Sequence, residues 1–298
     1  MLCRNPYVKA GLAFGCGQCM PCRFNKRREW THRIMLESYL YTDNCFLTLT
    51  YNEDSIQYME DGLATLVPEH SRNFVKRLRK AFDPRRFRYF LVGEYGDISG
   101  RPHYHLALFN FPTCSAGRTS QRPRSVEPDC CDHCRLVYRT WGFGRVDLAG
   151  LSPDSSQYIA GYTVKKMTHT DDLRLQGRVP EFTRMSLKPG IGADFMHDVA
   201  STLLEHDLTQ GDVPVTLRHG SKEYPLGRYL RRKLRAAIGK DEACPDEAFE
   251  KMEAELQPLR EAAFNNSRSF KKEVVNAGNN RVRKIETRNK IFKRSKTL

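Results

Sequence analysis

Hydrophobic and polar positions follow two rhythms along this chain, and the switches between them predict its elements. Residues 45 to 52 read "CFLTLTYN", a β-branched and aromatic run closed by polar residues, which predicts a strand. "PEHSRNFVKRLRKAF" then puts Phe74, Leu78 and Phe82 on one helical face and Arg72, Lys76, Arg79 and Lys80 elsewhere, predicting an amphipathic basic helix. "FRYFLVGEYG" and "RPHYHLALFNF" read as two strands joined by "DISG", whose Asp and Gly form turns, so an antiparallel hairpin is expected. "GRVDLAGL" predicts another strand. "SPDSSQYIAGYTVKKM" opens a helix with Ser152 as N-cap, Pro153 in its first position and Asp154 in its first turn.

The flanks are less regular. The first thirty residues are Cys-rich and without rhythm before turning helical and basic at "RFNKRREWTHRIMLESYL". Residues 112 to 135, rich in Pro, Ser and Arg, read as an insertion or long loop. "LKPGIGADFMHDVASTLLEHDL" predicts a Gly/Pro turn and a helix, "DVPVTLRHGSKEYPL" a hairpin around Gly220 and Ser221, and "GRYLRRKLRAAIG" a basic helix. A charged helical tail follows, with Lys and Arg dense from Arg281 to Lys296. No internal repeat is visible.

This order predicts an α+β fold: a central antiparallel sheet of about five strands, flanked by helices that we place on one face, with a helical C-terminal extension. We divide the chain into a Cys-rich basic segment (1–35), a core (36–170, with the insertion 112–135), a core-associated extension (171–240) and a basic helical tail (241–298).

Charge narrows the function. Lys and Arg number 49 against 35 Asp and Glu in 298 residues, a net charge of +14 at pH 7. That excess points to a polyanionic partner, most simply nucleic acid. No stretch approaches the roughly 18 apolar residues of a membrane span, and the N-terminus lacks the apolar run of a signal peptide. A soluble protein of a reducing cytoplasm, without a membrane partner, is expected.

Candidate chemistry begins with His103 and His105. On a strand, positions i and i+2 project from one face, so the two imidazoles stand side by side, while Tyr104 points the other way. Glu94, across the hairpin, is the expected partner, with Asp97 in the turn as a substitute. Two imidazoles and a carboxylate with open positions make a site for Mg²⁺ or Mn²⁺ and phosphate oxygens. Half-exposed surface histidines are the plainer alternative.

The second candidate is "YIAGYTVKK". Tyr158 and Tyr162 are four residues apart and share a helical face; Lys165 follows three beyond, and Lys166 four. An aromatic pair at this spacing also suits a core, but Ile159, Ala160 and Val164 can supply the apolar face. A phenol beside a metal-bound phosphate and an ammonium is a nucleophile in waiting. Metal site, paired phenols, lysine and basic body together describe a DNA-strand transferase.

Three segments, "FLTLTY", "RPHYH" and "YIAGYTVK", resemble the motifs of HUH-superfamily rolling-circle replication initiators, in the order used by replication proteins. The Cys-rich start before "CRFNKRREWTHR", the hairpin and "LKPGIG" are similar to the initiators of small icosahedral ssDNA phages, the microviruses, in particular the gokushovirus-like branch. The resemblance spans roughly residues 16 to 235. It implies His103 and His105 as metal-binding histidines, Glu94 as third ligand, Tyr158 and Tyr162 as the tyrosine pair, and Lys165 as the motif lysine. It further implies nicking and rejoining of origin DNA in the host cytoplasm, through a 5′-phosphotyrosyl intermediate, with host replication proteins such as a helicase as partners. The strand "FLTLTY" and the basic helices would help hold single-stranded DNA. A single-strand transposase of the same superfamily, or a non-catalytic zinc-stabilised nucleic-acid-binding protein, are the alternatives.

Ten cysteines complete the inventory. Cys16, Cys19 and Cys22 form C-x₂-C-x₂-C, with Cys3 as a possible fourth ligand. Cys130, Cys131 and Cys134 form a second group with Cys114 and His133 nearby. Such spacing suits structural zinc, and the first group would also tolerate an iron–sulfur cluster. Unliganded reduced thiols are the bland reading.

Overall fold

The computed structural model describes residues 2–117, 128–162 and 170–294. In chain order the elements are β1 (Tyr7–Lys9), β2 (Leu12–Phe14), α1 (Met20–Tyr39), β3 (Asn44–Thr50), α2 (Pro68–Ala81), β4 (Arg88–Tyr95), β5 (Pro102–Phe109) and α3 (Asp132–Trp141). Then come β6 (Val146–Gly150), α4 (Pro153–Tyr162), β7 (Phe182–Met185), α5 (Phe195–Glu205), β8 (Thr216–His219), β9 (Lys222–Pro225), α6 (Gly227–Ala237), α7 (Asp246–Asn265) and α8 (Phe270–Arg294). They fall into two compact units, one of residues 30–198 and one of residues 1–29 with 199–298. Among the described residues, no helix is long and apolar enough to cross a membrane.

Residues 30–198 build the expected α+β fold. Five antiparallel strands lie in the order β6-β3-β5-β4-β7. The hairpin turn closes where Asp97–Gly100 was expected to bend the chain: the Gly96 N–H donates to the Arg101 carbonyl, and Gly100 takes a positive φ of 63°. That closure sets the register in which Glu94 faces His103 and Val92 faces His105.

Helices cover both faces of the sheet, where one covered face was expected. The reason is visible in β5, which is apolar on both sides beyond its histidines. Tyr104, Leu106 and Leu108 join a core with Leu47 and Leu49 of β3, Phe74 and Leu78 of α2, and Val137 and Trp141 of α3. Ala107 and Phe109 join a second core with Phe90, Val92, Ile34 of α1, and Ile159 and Ala160 of α4. Ile159 is fully buried, worth roughly 2 kcal/mol of transfer free energy, and with Ala160 it seats α4 on the sheet.

The segment "LKPGIG" also acquires a structural reason. Gly192 has a φ of +79°, and a Cβ there would stand 2.9 Å from the Arg33 carbonyl oxygen, so only glycine fits. Its N–H donates to Oε2 of Glu37 (2.6 Å), whose other oxygen takes the Arg88 guanidinium. Glu37 is fully buried. Glu37→Ala would strand both donors, and we expect it to destabilise the chain by about 3 kcal/mol, measured as a lower denaturant midpoint.

Three elements depart from the sequence reading. α3 starts inside the supposed insertion, at Asp132; β7 is a four-residue edge strand; and the N-terminal segment forms the β1–β2 hairpin. In the other unit the expected hairpin around Gly220 appears as β8–β9, followed by α6, and the tail is the helix pair α7 and α8. Asp212 accepts from Arg235 through both oxygens (2.7 and 2.8 Å) and from Arg231 (2.5 Å).

Candidate active site

Strand pairing brings the candidate ligands together before any side-chain packing is considered. Glu94 on β4 and His103 on β5 are cross-strand partners, and His105 lies two residues along on the same face. His103 Nε2 stands 2.7 Å from Oε1 of Glu94, and His105 Nε2 stands 3.1 Å from the same oxygen. One ligand atom from each of the three lies within 4.8 Å of the others. Glu94 and His105 are buried and His103 is mostly so. Of the two acids weighed from the sequence, Glu94 converges with the histidines; Asp97 sits in the exposed turn.

The far side of each ring sets what the near side can do. His103 Nδ1 lies 3.0 Å from the Arg101 carbonyl oxygen, which can only accept, so Nδ1 carries the proton. His105 Nδ1 lies 3.0 Å from the Thr48 hydroxyl on β3, a partner suited to the same tautomer. Neutral imidazoles held this way turn their Nε2 lone pairs toward a carboxylate. Three electron-pair donors facing one another need a cation between them, and two nitrogens with one carboxylate fit a divalent metal ion.

The tyrosines arrive from α4. Ser152 caps this helix: its hydroxyl accepts from the Ser155 N–H (3.1 Å) while the Ser155 hydroxyl accepts from the Ser152 N–H (2.8 Å). The cap, with Ile159 and Ala160 buried beneath, fixes which face meets the sheet. Tyr162 stacks on His105 (centroids 5.5 Å, planes 16° apart), and Tyr158 meets the same ring edge-on at 5.3 Å. The two phenol rings are 5.0 Å apart. Tyr158 is 43% exposed and Tyr162 half-buried, so the pair faces outward beside the histidines. Burial, then the Glu94 charge, push the Tyr162 phenol well above the ordinary tyrosine range, and its hydroxyl bonds to Tyr158 and Glu94. Lys165 and Lys166 lie outside the described residues.

Sequence reasoning missed the supports of this site. Phe46 on β3 stacks on His105 at 5.4 Å, and Thr48 holds its Nδ1. The alternation of "FLTLTY" carries the signal, because Phe46 and Thr48 share a face and pair across to β5. Tyr51 is no stacking platform for DNA: it is fully buried, with its hydroxyl 2.8 Å from that of Tyr104. Tyr104 in turn exchanges hydrogen bonds with the Val67 backbone, which explains a tyrosine between two histidines. At the other end of β4, Arg79, Arg85, Arg86, Arg88 and Lys188 line an open groove whose lining includes one acid, Asp83.

The cysteines form two groups of four, Cys3 with Cys16, Cys19 and Cys22, and Cys114 with Cys130, Cys131 and Cys134. His133 stands against Phe111, with ring centroids 6.3 Å apart.

Comparison with known proteins places this geometry in a lineage. The family model of the replication-associated protein ORF2 matches residues 44–167, which include all five residues of the site. The replication-associated protein ORF2 of Spiroplasma virus 4 is 31% identical over 223 residues, covering 74% of this chain and 67% of that protein. The replication-associated protein VP4 of Bdellovibrio phage phiMH2K is 32% identical over 175 residues, covering 55% of this chain and 51% of that protein. The replication-associated protein ORF4 of Chlamydia phage 1 is 25% identical over 245 residues, covering 81% and 58%. The matched stretch thus spans about two thirds of the first relative and half to three fifths of the other two. No solved structure matches the chain significantly. As the motif resemblance led us to expect, the chain belongs to the replication-associated protein ORF2 family of ssDNA phages.

Proposed function

We propose that the chain initiates rolling-circle replication of a phage genome by nicking single-stranded origin DNA through tyrosine transesterification, and rejoins the ends when a round is complete. The observation that carries this reading is the meeting of three metal-ligand side chains with two phenols on one ring, that of His105. Family membership and the excess of basic residues support it.

Glu94, His103 and His105 would hold Mg²⁺ or Mn²⁺, which when bound polarises a phosphate oxygen and lowers the cost of charge in the transition state. The chain's own residues do the rest. Arg101 and Thr48 hold the imidazoles in the ligating tautomer, and Phe46 fixes the plane of His105. A phenol of Tyr158 or Tyr162 attacks the phosphorus. The phenolic proton leaves, a bond from oxygen to phosphorus forms, the bond to the 3′ oxygen breaks, and that oxygen takes up a proton. The product is a 5′-phosphotyrosyl enzyme and a free 3′-OH. One phosphodiester has been exchanged for another, so a 3′-OH can reverse the step without ATP. The second tyrosine allows a later junction to be attacked while the first strand is still attached. Lys165 is assigned to charge stabilisation or proton transfer, and the groove of Arg79, Arg86 and Lys188 to phosphate contact.

Incubation with single-stranded oligonucleotides tiled across the genome that encodes the chain tests this. With Mn²⁺, one oligonucleotide should be cut and its 5′-ended fragment should migrate with the protein on a denaturing gel. EDTA should abolish the cut, and renewed Mn²⁺ or Mg²⁺ should restore it. Binding without cleavage under all metals would instead make the protein a nucleic-acid-binding module.

A further inference from the structure

Eight of the ten cysteines stand outside the chemistry described above, yet they are not scattered. The first group draws on four separate places: Cys3 before β1, Cys16 after β2, Cys19 in the turn before α1, and Cys22 in its first turn. The second draws Cys114 from the segment after β5, Cys130 from the approach to α3, Cys131 from its N-cap and Cys134 from its first turn. In each group the four sulfurs lie within 4.8 Å of one another. The remaining two behave differently: Cys45 is buried in the sheet core and Cys244 is exposed at the surface.

The geometry points to two tetrathiolate zinc sites, one at Cys3, Cys16, Cys19 and Cys22 and one at Cys114, Cys130, Cys131 and Cys134. A tetrahedral ion with bonds of about 2.3 Å to sulfur sets its thiolates about 3.8 Å apart. Cys19 and Cys3 have sulfurs 3.7 Å apart, and Cys131 and Cys114 have theirs 4.0 Å apart. A disulfide would need about 2.05 Å. An iron–sulfur cluster would need some of its thiolates on opposite sides of a multi-iron unit, so four mutually close sulfurs favour one ion.

Backbone geometry supports the same conclusion twice over. In both groups a C-x₂-C turn aims the N–H of its second cysteine at the sulfur of its first: Cys19 N to Cys16 Sγ at 3.3 Å, and Cys134 N to Cys131 Sγ at 3.4 Å. The first group adds Cys16 N to Cys3 Sγ (3.3 Å) and Arg4 N to Cys19 Sγ (3.5 Å). Four thiolates on a divalent ion leave two negative charges, and donors aimed at sulfur offset them. As zinc binds, the four thiols release their protons to solvent.

Each site has a local task. β1 and β2 are three residues long, too short to hold a hairpin in water, and the first site ties their outer ends to the start of α1. The second site closes the base of the segment between β5 and α3. It thereby anchors the N-terminus of α3, whose Val137 and Trp141 complete the core behind Tyr104.

The test is metal content and thiol reactivity of the full chain, expressed with zinc and dialysed without chelator. Elemental analysis should find two zinc ions per chain, and a thiol reagent under native conditions should titrate one fast group, Cys244. Cys16→Ser with Cys19→Ser should leave one zinc, and Cys131→Ser with Cys134→Ser should likewise leave one. Because either pair can compromise folding, cobalt replacement in the unaltered chain provides the second measurement. Two equivalents of Co²⁺ should give intense tetrahedral bands and sulfur-to-cobalt charge transfer. Iron in place of zinc, less than one zinc per chain, or rapid reaction of all eight clustered thiols would overturn the proposal. A zinc content unchanged by one of the paired substitutions would overturn that site.

Discussion

Replacing Tyr158 and Tyr162 together with phenylalanine will abolish the covalent protein–DNA adduct, lowering its formation by at least ~10³-fold, about 4 kcal/mol in the barrier. The fold should survive, because phenylalanine keeps both rings. The stack of residue 162 on His105 and the edge contact of residue 158 with Phe46 need no hydroxyl. Each single variant should still form an adduct, since both phenols meet the same imidazole at nearly the same centroid distance, 5.3 against 5.5 Å. Adduct yield is read on a denaturing gel, with thermal unfolding as the control. An undiminished adduct in the double variant would remove the nucleophiles from the mechanism.

Glu94→Gln should lower cleavage at least ~100-fold at fixed Mn²⁺ and shift half-saturation to higher metal concentration. The amide fills the same space between His103 and His105, so packing is kept while the negative member of the ligand set is lost. His105→Ala should be at least as damaging, because it removes a ligand and the ring on which both tyrosines rest. Thr48→Val tests the support: it deletes the partner of His105 Nδ1 and should cost ~10-fold in metal response. Cleavage measured across a Mn²⁺ series separates the cases. A Glu94→Gln curve that overlays the wild type would mean that this carboxylate holds no metal.

Much of this arrangement was legible before the structure. Alternation on β3 and β5 announces which residues share a face, and a short turn at Asp97–Gly100 leaves Glu94 opposite His103 with little freedom. Ser152 and Pro153 start α4 at the position that aims Tyr158 and Tyr162 at the sheet. What stayed hidden depends on partners distant in sequence. α3 buries Cys134 and Thr140 beside Val137 and Trp141, so its inward face lacks a continuous apolar stripe. β7 is short and without alternation; it exists because β4 offers an edge, with Phe90 paired to Met185. The second helical layer was equally hidden, since both faces of β5 are apolar only when Ala107 and Phe109 are counted as buried. Phe46 looked like a DNA-stacking residue, yet its ring serves His105.

Mass spectrometry of the trapped protein–oligonucleotide adduct tests the central claim, a divalent metal and a tyrosine pair acting on one phosphodiester, most directly. After nuclease trimming and trypsin, a 5′-linked nucleotide is expected on the peptide from Val146 to Lys165, at Tyr158 or Tyr162, and only when Mn²⁺ or Mg²⁺ was present. A nucleotide on any other residue, or cleaved DNA with no modified peptide, would contradict it.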